Sequence, residues 1–189
     1  VYNWFVAGHE IEPDHWYFDP REGGRVLGNL CHWTDFLLVL VGQDAFPVQI
    51  IPVRDRSSDV DIAVNFIFGD GSVAVITFSA KGHTFEGVKE RFSAHRGNCM
   101  AVLDDFSELT VEVVDSKRRY RNRHRDHGHG DNIVGAYRAS IEGGPYDHDS
   151  RVDHLVNTAH LFLEVRRAWE SNQPVTVHSS VHAVHVAVE

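Results

Sequence analysis

The sequence predicts an α+β domain with a largely antiparallel, mixed and open sheet of about six strands, covered by helices on one face. Three observations favour this class. A strand and a helix come first, a β-rich block follows, and two helices come after it. Elements segregated in this way are typical of a sheet with helices on one side. The other face of the sheet must then be buried by something else, and a second subunit is the simplest candidate.

The first two elements are read from residues 1–42. Residues 1–7 are predicted as a strand that ends at Gly8, and a loop with two prolines follows. The next segment, 26–41, is strongly apolar and predicts a core helix, and Gly42 suits a left-handed C-terminal cap.

The middle and end of the chain predict further strands and two more helices. Apolar and polar residues alternate in the middle block, as in half-buried antiparallel strands. The run Gly69-Asp70-Gly71 is a hairpin signal. Strands are predicted over 46–53, 60–68, 72–80, 86–94, 99–104, 109–114 and 181–188, and helices over 131–142 and 151–171.

Composition limits the class of protein. The 189 residues are 42% hydrophobic with a formal net charge of -9, which predicts one domain over residues 1–189 and argues against nucleic acid as the main partner. The sequence shows neither an apolar run long enough for a membrane span nor a signal peptide. The two cysteines lie far apart, so we expect a reduced, cytoplasmic protein. The chain begins at Val1 and has one methionine, Met100, so we expect it to be part of a longer protein.

The sequence contains no usual dinucleotide-binding turn. Gly69-Asp70-Gly71 lacks a third glycine and is followed by strand-forming residues, so it does not match GxGxxG. We therefore expect no cofactor-binding residues on this chain.

The first predicted helix carries three polar residues, Asn29, His32 and Asp35, spaced three apart on an apolar segment. His32 either handles a proton in a pocket or is a buried histidine bonded to a backbone carbonyl. Asn29 offers a donor and an acceptor to a hydroxyl group, or is an ordinary polar residue of the first turns. Asp35 either orients His32 or is a surface carboxylate.

Other charged residues have both a functional and a plain interpretation. Arg25 and Lys89 could pair with a carboxylate or diphosphate of a substrate, or be solvated surface charges. The basic run 117–125 is interpreted as an edge strand protected by charge. His124, His127 and His129 lie close in sequence, but no cysteine accompanies them, so no metal site is expected; a zinc module there remains a third hypothesis.

Several stretches, taken in order, resemble the C-terminal domain of the Gfo/Idh/MocA oxidoreductases, the family named for glucose–fructose oxidoreductase, inositol dehydrogenase and rhizopine catabolism proteins. The likeness extends over nearly the whole chain, and part of it is most similar to the branch that acts on nucleotide-linked sugars. The stretches are residues 13–16 with 19–20, 23–35, 68–74, 89–91, 103–106, 126–129 and 171–175.

This resemblance implies that the chain is the C-terminal domain of an NAD(P)-dependent oxidoreductase that acts on a sugar or nucleotide-sugar hydroxyl or ketone. NAD or NADP and the catalytic lysine would belong to an N-terminal Rossmann domain outside this chain, and the open sheet face would form homo-oligomers. The chain alone is then expected to be inactive.

The resemblance assigns a catalytic role to His32 and implies a set of residues around the substrate. Many members carry a carboxylate one turn before the histidine, whereas this chain has Gly28 and Asn29, which favours binding over a proton relay. The alternative function is a free-standing sugar-binding or assembly domain without activity. The implied substrate-binding residues are Asn29, His15, Trp16, Arg25, Lys89 and His129.

Overall fold

The computed structural model describes residues 1–8, 10, 12, 14–22, 24–42, 45–53, 61–81, 88–126, 128–142 and 148–180. Its strands are β1 Tyr2–Ala7, β2 Val48–Val53, β3 Asp61–Ile67, β4 Val73–Ser79, β5 Lys89–Arg96, β6 Cys99–Asp104, β7 Glu108–Val113, β8 Ser116–Arg121 and β9 Val175–Val177. The α-helices are α1 Gly24–Val41, α2 His129–Glu142 and α3 His148–Ser171, and two short 3-10 helices are η1 Trp16–Phe18 and η2 Pro20–Glu22.

All of these strands form one open sheet in the order β8-β7-β6-β5-β1-β4-β3-β2-β9. β1 lies in the middle, parallel to β4 and antiparallel to β5, while every other described pairing is antiparallel. The predicted α+β class with a mixed, open sheet is therefore confirmed. The sheet has nine described strands rather than about six; β9, with only three residues, gives a weak strand signal.

The core lies between one face of this sheet and helices α1 and α3. In β1, β3 and β4, buried and less buried residues alternate, as expected for a sheet with one covered face. Trp4 of β1 contacts Phe36 of α1 at 4.9 Å between ring centroids, and Trp33 stacks on Phe78 of β4 at 6.0 Å. Aromatic rings thus fill the space between α1 and the centre of the sheet.

The opposite face of the sheet is open in the single chain. Phe5, which alternates with buried Trp4, is 50% exposed, and Ile67 of β3 and Met100 of β6 are also exposed. The prediction that a second subunit covers this face stays a prediction.

The turns and caps follow the sequence signals. Gly71 adopts φ 80° in the hairpin between β3 and β4, and Gly42 adopts φ 86° after α1 while its N–H donates to Leu38 O at 2.9 Å. β8 is the edge strand predicted from the basic run, and all of its residues are exposed. The strand predicted over 181–188 lies outside the described residues.

No helix in the described part of the chain combines the length and apolar character needed to cross a membrane.

Candidate functional site

Helix α1 presents His32 to the surface. Its neighbour Trp33 is buried, and residues next to each other on a helix point about 100° apart, so His32 is exposed while Trp33 faces the sheet. The alternative of a histidine buried in the core is therefore wrong. The imidazole is accessible to a molecule that approaches this side of α1.

Asp35, one turn further along α1, faces helix α3. Its Oδ1 lies 2.6 Å from His154 Nε2 and accepts a hydrogen bond from Thr158 Oγ1 at 3.3 Å. The contacts described for Asp35 thus join α1 to α3. Asn29 is half-buried on α1, so the three polar residues of this helix have different surroundings.

The loop before α1 places His15 and Trp16 beside that helix. The two rings stack at 5.5 Å between centroids, and η1, which begins at Trp16, packs against α1. Trp16 is 50% exposed, so its ring offers an open apolar surface. Asp19 and Arg21 then pair at 2.6 Å; this hydrogen bond lowers the pKa of the Asp19 carboxyl and raises that of Arg21.

The structure describes the side chain of only one of the two cationic candidates, Arg25 and Lys89. The side chain of Arg25 lies outside the described residues. Lys89, the first residue of β5, donates to Asp105 Oδ2 at 2.9 Å and is half-buried. Lys89 is therefore already neutralised by a carboxylate of the protein.

His129 begins α2 and is exposed. Gly128 precedes it with φ 71°, and the Gly128 N–H donates to Asp126 Oδ1 at 2.7 Å. This turn directs the chain into the helix. His127, the middle member of the histidine group, lies outside the described residues, and no group of metal-ligating side chains is found among those that are described.

The structure adds one residue that sequence reasoning missed, Glu90. Its register partner on β1 is the fully buried Val6, so its side chain points to the helix-covered face and is only 12% exposed. Oε2 accepts hydrogen bonds from two indoles, Trp33 Nε1 at 2.9 Å and Trp4 Nε1 at 3.1 Å. One carboxylate oxygen therefore joins β5, β1 and α1.

Glu90 also belongs to a charged cluster, defined as Lys89, Glu90, Asp105 and Arg125. Arg125 Nη2 lies 3.3 Å from Glu90 Oε1 and 3.1 Å from Asp105 Oδ1, and Nη1 donates to Val88 O at 2.7 Å. Two cations and two carboxylates balance, as charges withdrawn from water require. Arg125 Nε is buried with no hydrogen-bond partner among the described residues, so the cluster is not fully satisfied.

The turn between β6 and β7 completes the cluster in an unusual conformation. Asp105 and Phe106 have φ of 49° and 52°, a left-handed region that costs energy for side-chain-bearing residues. The Asp105 N–H donates to Glu90 O at 2.7 Å, and Asp126 N–H donates to Phe106 O at 3.2 Å. Contacts on both sides therefore hold this turn in place.

One predicted site residue, Lys89, belongs to this cluster. Two others lie near it in sequence: His32 directly precedes Trp33, which donates to Glu90, and His129 follows Arg125 by four residues. A glutamate at an inward position of an alternating strand was the available signal, since a buried carboxylate needs donors. The partners themselves lie far away in sequence and could not be read from it.

Cys31 lies on α1 beside His32 and is half-buried. Burial raises the pKa of its thiol, so the thiol is neutral at physiological pH.

Comparison with solved structures shows the fold in longer proteins. Levoglucosan dehydrogenase in complex with NADH matches with a TM-score of 0.71 at 14% identity, over 93% of this chain and 57% of that chain. Its complex with NADH and levoglucosan gives 0.70 at 15% identity, over 93% and 58%. UDP-N-acetylglucosamine 3-dehydrogenase from Acidithiobacillus ferrooxidans gives 0.68 at 16% identity, over 90% and 53%.

The chain thus spans little more than half the length of the structures it matches. The predicted likeness to oxidoreductases of the Gfo/Idh/MocA type is confirmed as a likeness of fold. Comparison of the sequence with protein-family models and with curated proteins gives no match.

Proposed function

We propose that this chain is the substrate-binding and oligomerisation domain of an NAD(P)-dependent oxidoreductase that acts on a sugar or nucleotide-sugar hydroxyl or ketone. The observation that carries the proposal is the match of fold over 90–93% of the chain to dehydrogenases of a sugar and of a nucleotide sugar. Function resides in sites rather than folds, so residue roles need their own support.

The nicotinamide cofactor belongs, in this proposal, to another part of a longer protein. A dinucleotide needs a glycine-rich turn between a strand and a helix. Here β1 leads to α1 through a segment of 16 residues, from Gly8 to residue 23, without that pattern. This connection is therefore not expected to hold the cofactor, which would supply the acceptor or donor of the hydride.

His32 is proposed to handle the proton. When a carbinol is oxidised to a ketone, its carbon loses a hydride and its oxygen loses a proton. An imidazole has an ordinary pKa near neutrality, about 6.5, and suits general acid–base catalysis on a hydroxyl. The exposure of His32 on α1 supports this role, because a base must reach its substrate.

The remaining candidates are proposed to surround the substrate. The exposed Trp16 ring beside α1 suits the apolar face of a pyranose, and half-buried Asn29 suits a hydroxyl. A substrate phosphate would have to compete with Asp105 for Lys89. Arg25, His15 and His129 are proposed on the family resemblance.

Turnover by the protein at its natural length tests the proposal. Intact mass of the untagged protein from its source cells establishes that length, and NAD(P)H formation is then measured with a panel of sugars and nucleotide sugars. His32→Gln should lower kcat by about 10²–10⁴-fold, the usual contribution of a general acid or base. His178→Gln, at another exposed histidine, is the matched control and should retain full activity.

Binding without turnover contradicts the enzyme proposal. A natural mass equal to 21.4 kDa together with sugar binding and no NAD(P)H formation would instead favour a free-standing sugar-binding or assembly domain.

The open sheet face is proposed as the surface between copies of the chain. Phe5, Ile67 and Met100 are its exposed apolar side chains. Phe5→Glu should convert an oligomer into monomers in light scattering coupled to size exclusion. The control is Val39→Glu, at an exposed position on α1, which should leave the oligomer intact. An oligomer that survives Phe5→Glu contradicts this interface.

A further inference from the structure

We propose that Glu90 is a positioning residue that fixes His32 by anchoring the indole of Trp33. The inference rests on the proposed function only for the role of His32 toward substrate; the anchoring is a property of this chain and is measured without substrate.

Glu90 is a charged anchor of α1 on the sheet at Trp33, next to His32; Arg96 of β5 is another, donating from Nη1 to Leu40 O at 3.0 Å near the end of the helix. Glu90 Oε2 accepts from Trp33 Nε1 at 2.9 Å, and charge-assisted hydrogen bonds of this length are stronger than neutral ones. Trp33 is 6% exposed and stacks on Phe78, so both the ring plane and the N–H direction are held. A helix held at Trp33 also has its rotation fixed at the adjacent His32.

Glu90 is itself held from several directions. Trp4 donates to the same oxygen at 3.1 Å, and Arg125 faces the other oxygen at 3.3 Å. The backbone of Glu90 is also engaged, because Glu90 O accepts from Asp105 N–H at 2.7 Å. The carboxylate therefore cannot follow α1 if the helix turns, and it acts as a fixed point for it.

The two indoles provide an internal control. Both donate to the same carboxylate oxygen, but Trp33 lies on α1 next to His32 whereas Trp4 lies on β1. Trp33→Phe and Trp4→Phe each remove one N–H and no charge. Trp4 also packs on Phe36 of α1, at 4.9 Å between ring centroids. If Glu90 acts through Trp33, the first change should therefore move His32 more than the second.

The experiment follows tryptophan and histidine side chains by NMR in the purified chain. Glu90→Gln should accelerate hydrogen exchange of the Trp4 and Trp33 indoles about tenfold or more, since each loses a bond to a charged acceptor. It should also shift the His32 ring resonance, which is assigned from the spectrum of His32→Gln. Glu108→Gln removes a carboxylate that contacts Arg121 at the sheet edge, and should change neither signal.

Trp33→Phe should reproduce the shift of the His32 resonance, and Trp4→Phe should give a smaller shift. Equal shifts from both indole variants, or an unchanged His32 resonance in Glu90→Gln and Trp33→Phe, would overturn the proposal. If Glu90→Gln does not fold, the pair of indole variants decides alone.

Failure of the proposed function gives a different result. If His32→Gln leaves turnover intact while Trp33→Phe still moves the His32 ring, the anchoring stands and the catalytic role fails. If His32→Gln abolishes turnover while Trp33→Phe leaves the His32 ring unmoved, the anchoring fails and the function stands.

Discussion

Two glutamate–arginine pairs in this molecule use the same chemistry in opposite surroundings. Glu90, which binds Trp33 of α1, and Arg125 have side chains that are 12% and 29% exposed. Glu108 and Arg121 lie at the basic edge of the sheet, 30% and 65% exposed, at 2.5 Å. The edge pair is the shorter, yet water solvates both of its partners.

The distance between the charged atoms alone therefore does not determine how much an ion pair contributes to stability. An exposed pair gains little, because water and salt screen it and two long side chains lose freedom. A withdrawn pair costs desolvation to form, and removal of one partner leaves a charge without compensation. Loss of Glu90 also leaves two indole N–H groups without their acceptor.

The largest expected effect is that of Glu90→Ala. We expect it to lower the free energy of unfolding by about 3 kcal/mol, because it leaves both indoles without their acceptor and removes one of the two carboxylates that face Arg125. Glu108→Ala should cost less than about 1 kcal/mol. Urea unfolding followed by circular dichroism measures both, and equal losses would break the comparison.

The next effect concerns the arginines. Arg125→Met should cost about 2 kcal/mol, since Glu90 and Asp105 then face each other's charge with only Lys89 left in the cluster. The buried Nε without a partner makes Arg125 an imperfect fit, so its loss should cost less than that of Glu90. Arg121→Met serves as the edge control. A cost for Arg125→Met below that of Arg121→Met would contradict the ranking.

Salt should separate the two pairs further. Double-mutant cycles for Glu108 with Arg121 should give a coupling of about 0.5 kcal/mol at low salt that fades at 1 M salt, where the Debye length is about 3 Å. The coupling of Glu90 with Arg125 should persist. Loss of both couplings at high salt would show that the inner pair is also solvated.

The smallest effect extends the comparison to a thiol. Burial raises the pKa of the Cys31 thiol. In a Cys99→Ser background, the rate of its alkylation by iodoacetamide should therefore reach half its maximum at a pH above the ordinary thiol pKa of about 8.5. The same chain in urea should show the ordinary value. A midpoint at or below that value in the folded chain would contradict the burial of Cys31.

Most of the fold was predictable because it depends on local patterns. Alternation along β3 and β4, the turn at Gly71 and the apolar run of α1 each specify an element within a few residues. β9 was not predictable, since three residues carry no usable period and pairing with β2 defines the strand.

The site was less predictable for a physical reason. The imidazole of His32 suggests proton transfer and the indole of Trp16 suggests contact with a sugar ring. The pattern of apolar residues in the segment 26–41 places His32 on a helix. The partners of Glu90, by contrast, come from positions 57 and 86 residues away, and only the folded sheet brings them together. The pairing of Asp35 with His154 on α3 was missed for the same reason.

The central position of β1 has a consequence for how the molecule assembles. Two antiparallel meanders, β2 to β4 and β5 to β8, are built from neighbours in sequence and can pair early. β1 has to join them across long separations, with Tyr2 opposite Ala74 and Ala94. The strand that comes first in this sheet along the chain is thus among the last to find its place, and until it docks each meander keeps an open inner edge exposed to aggregation.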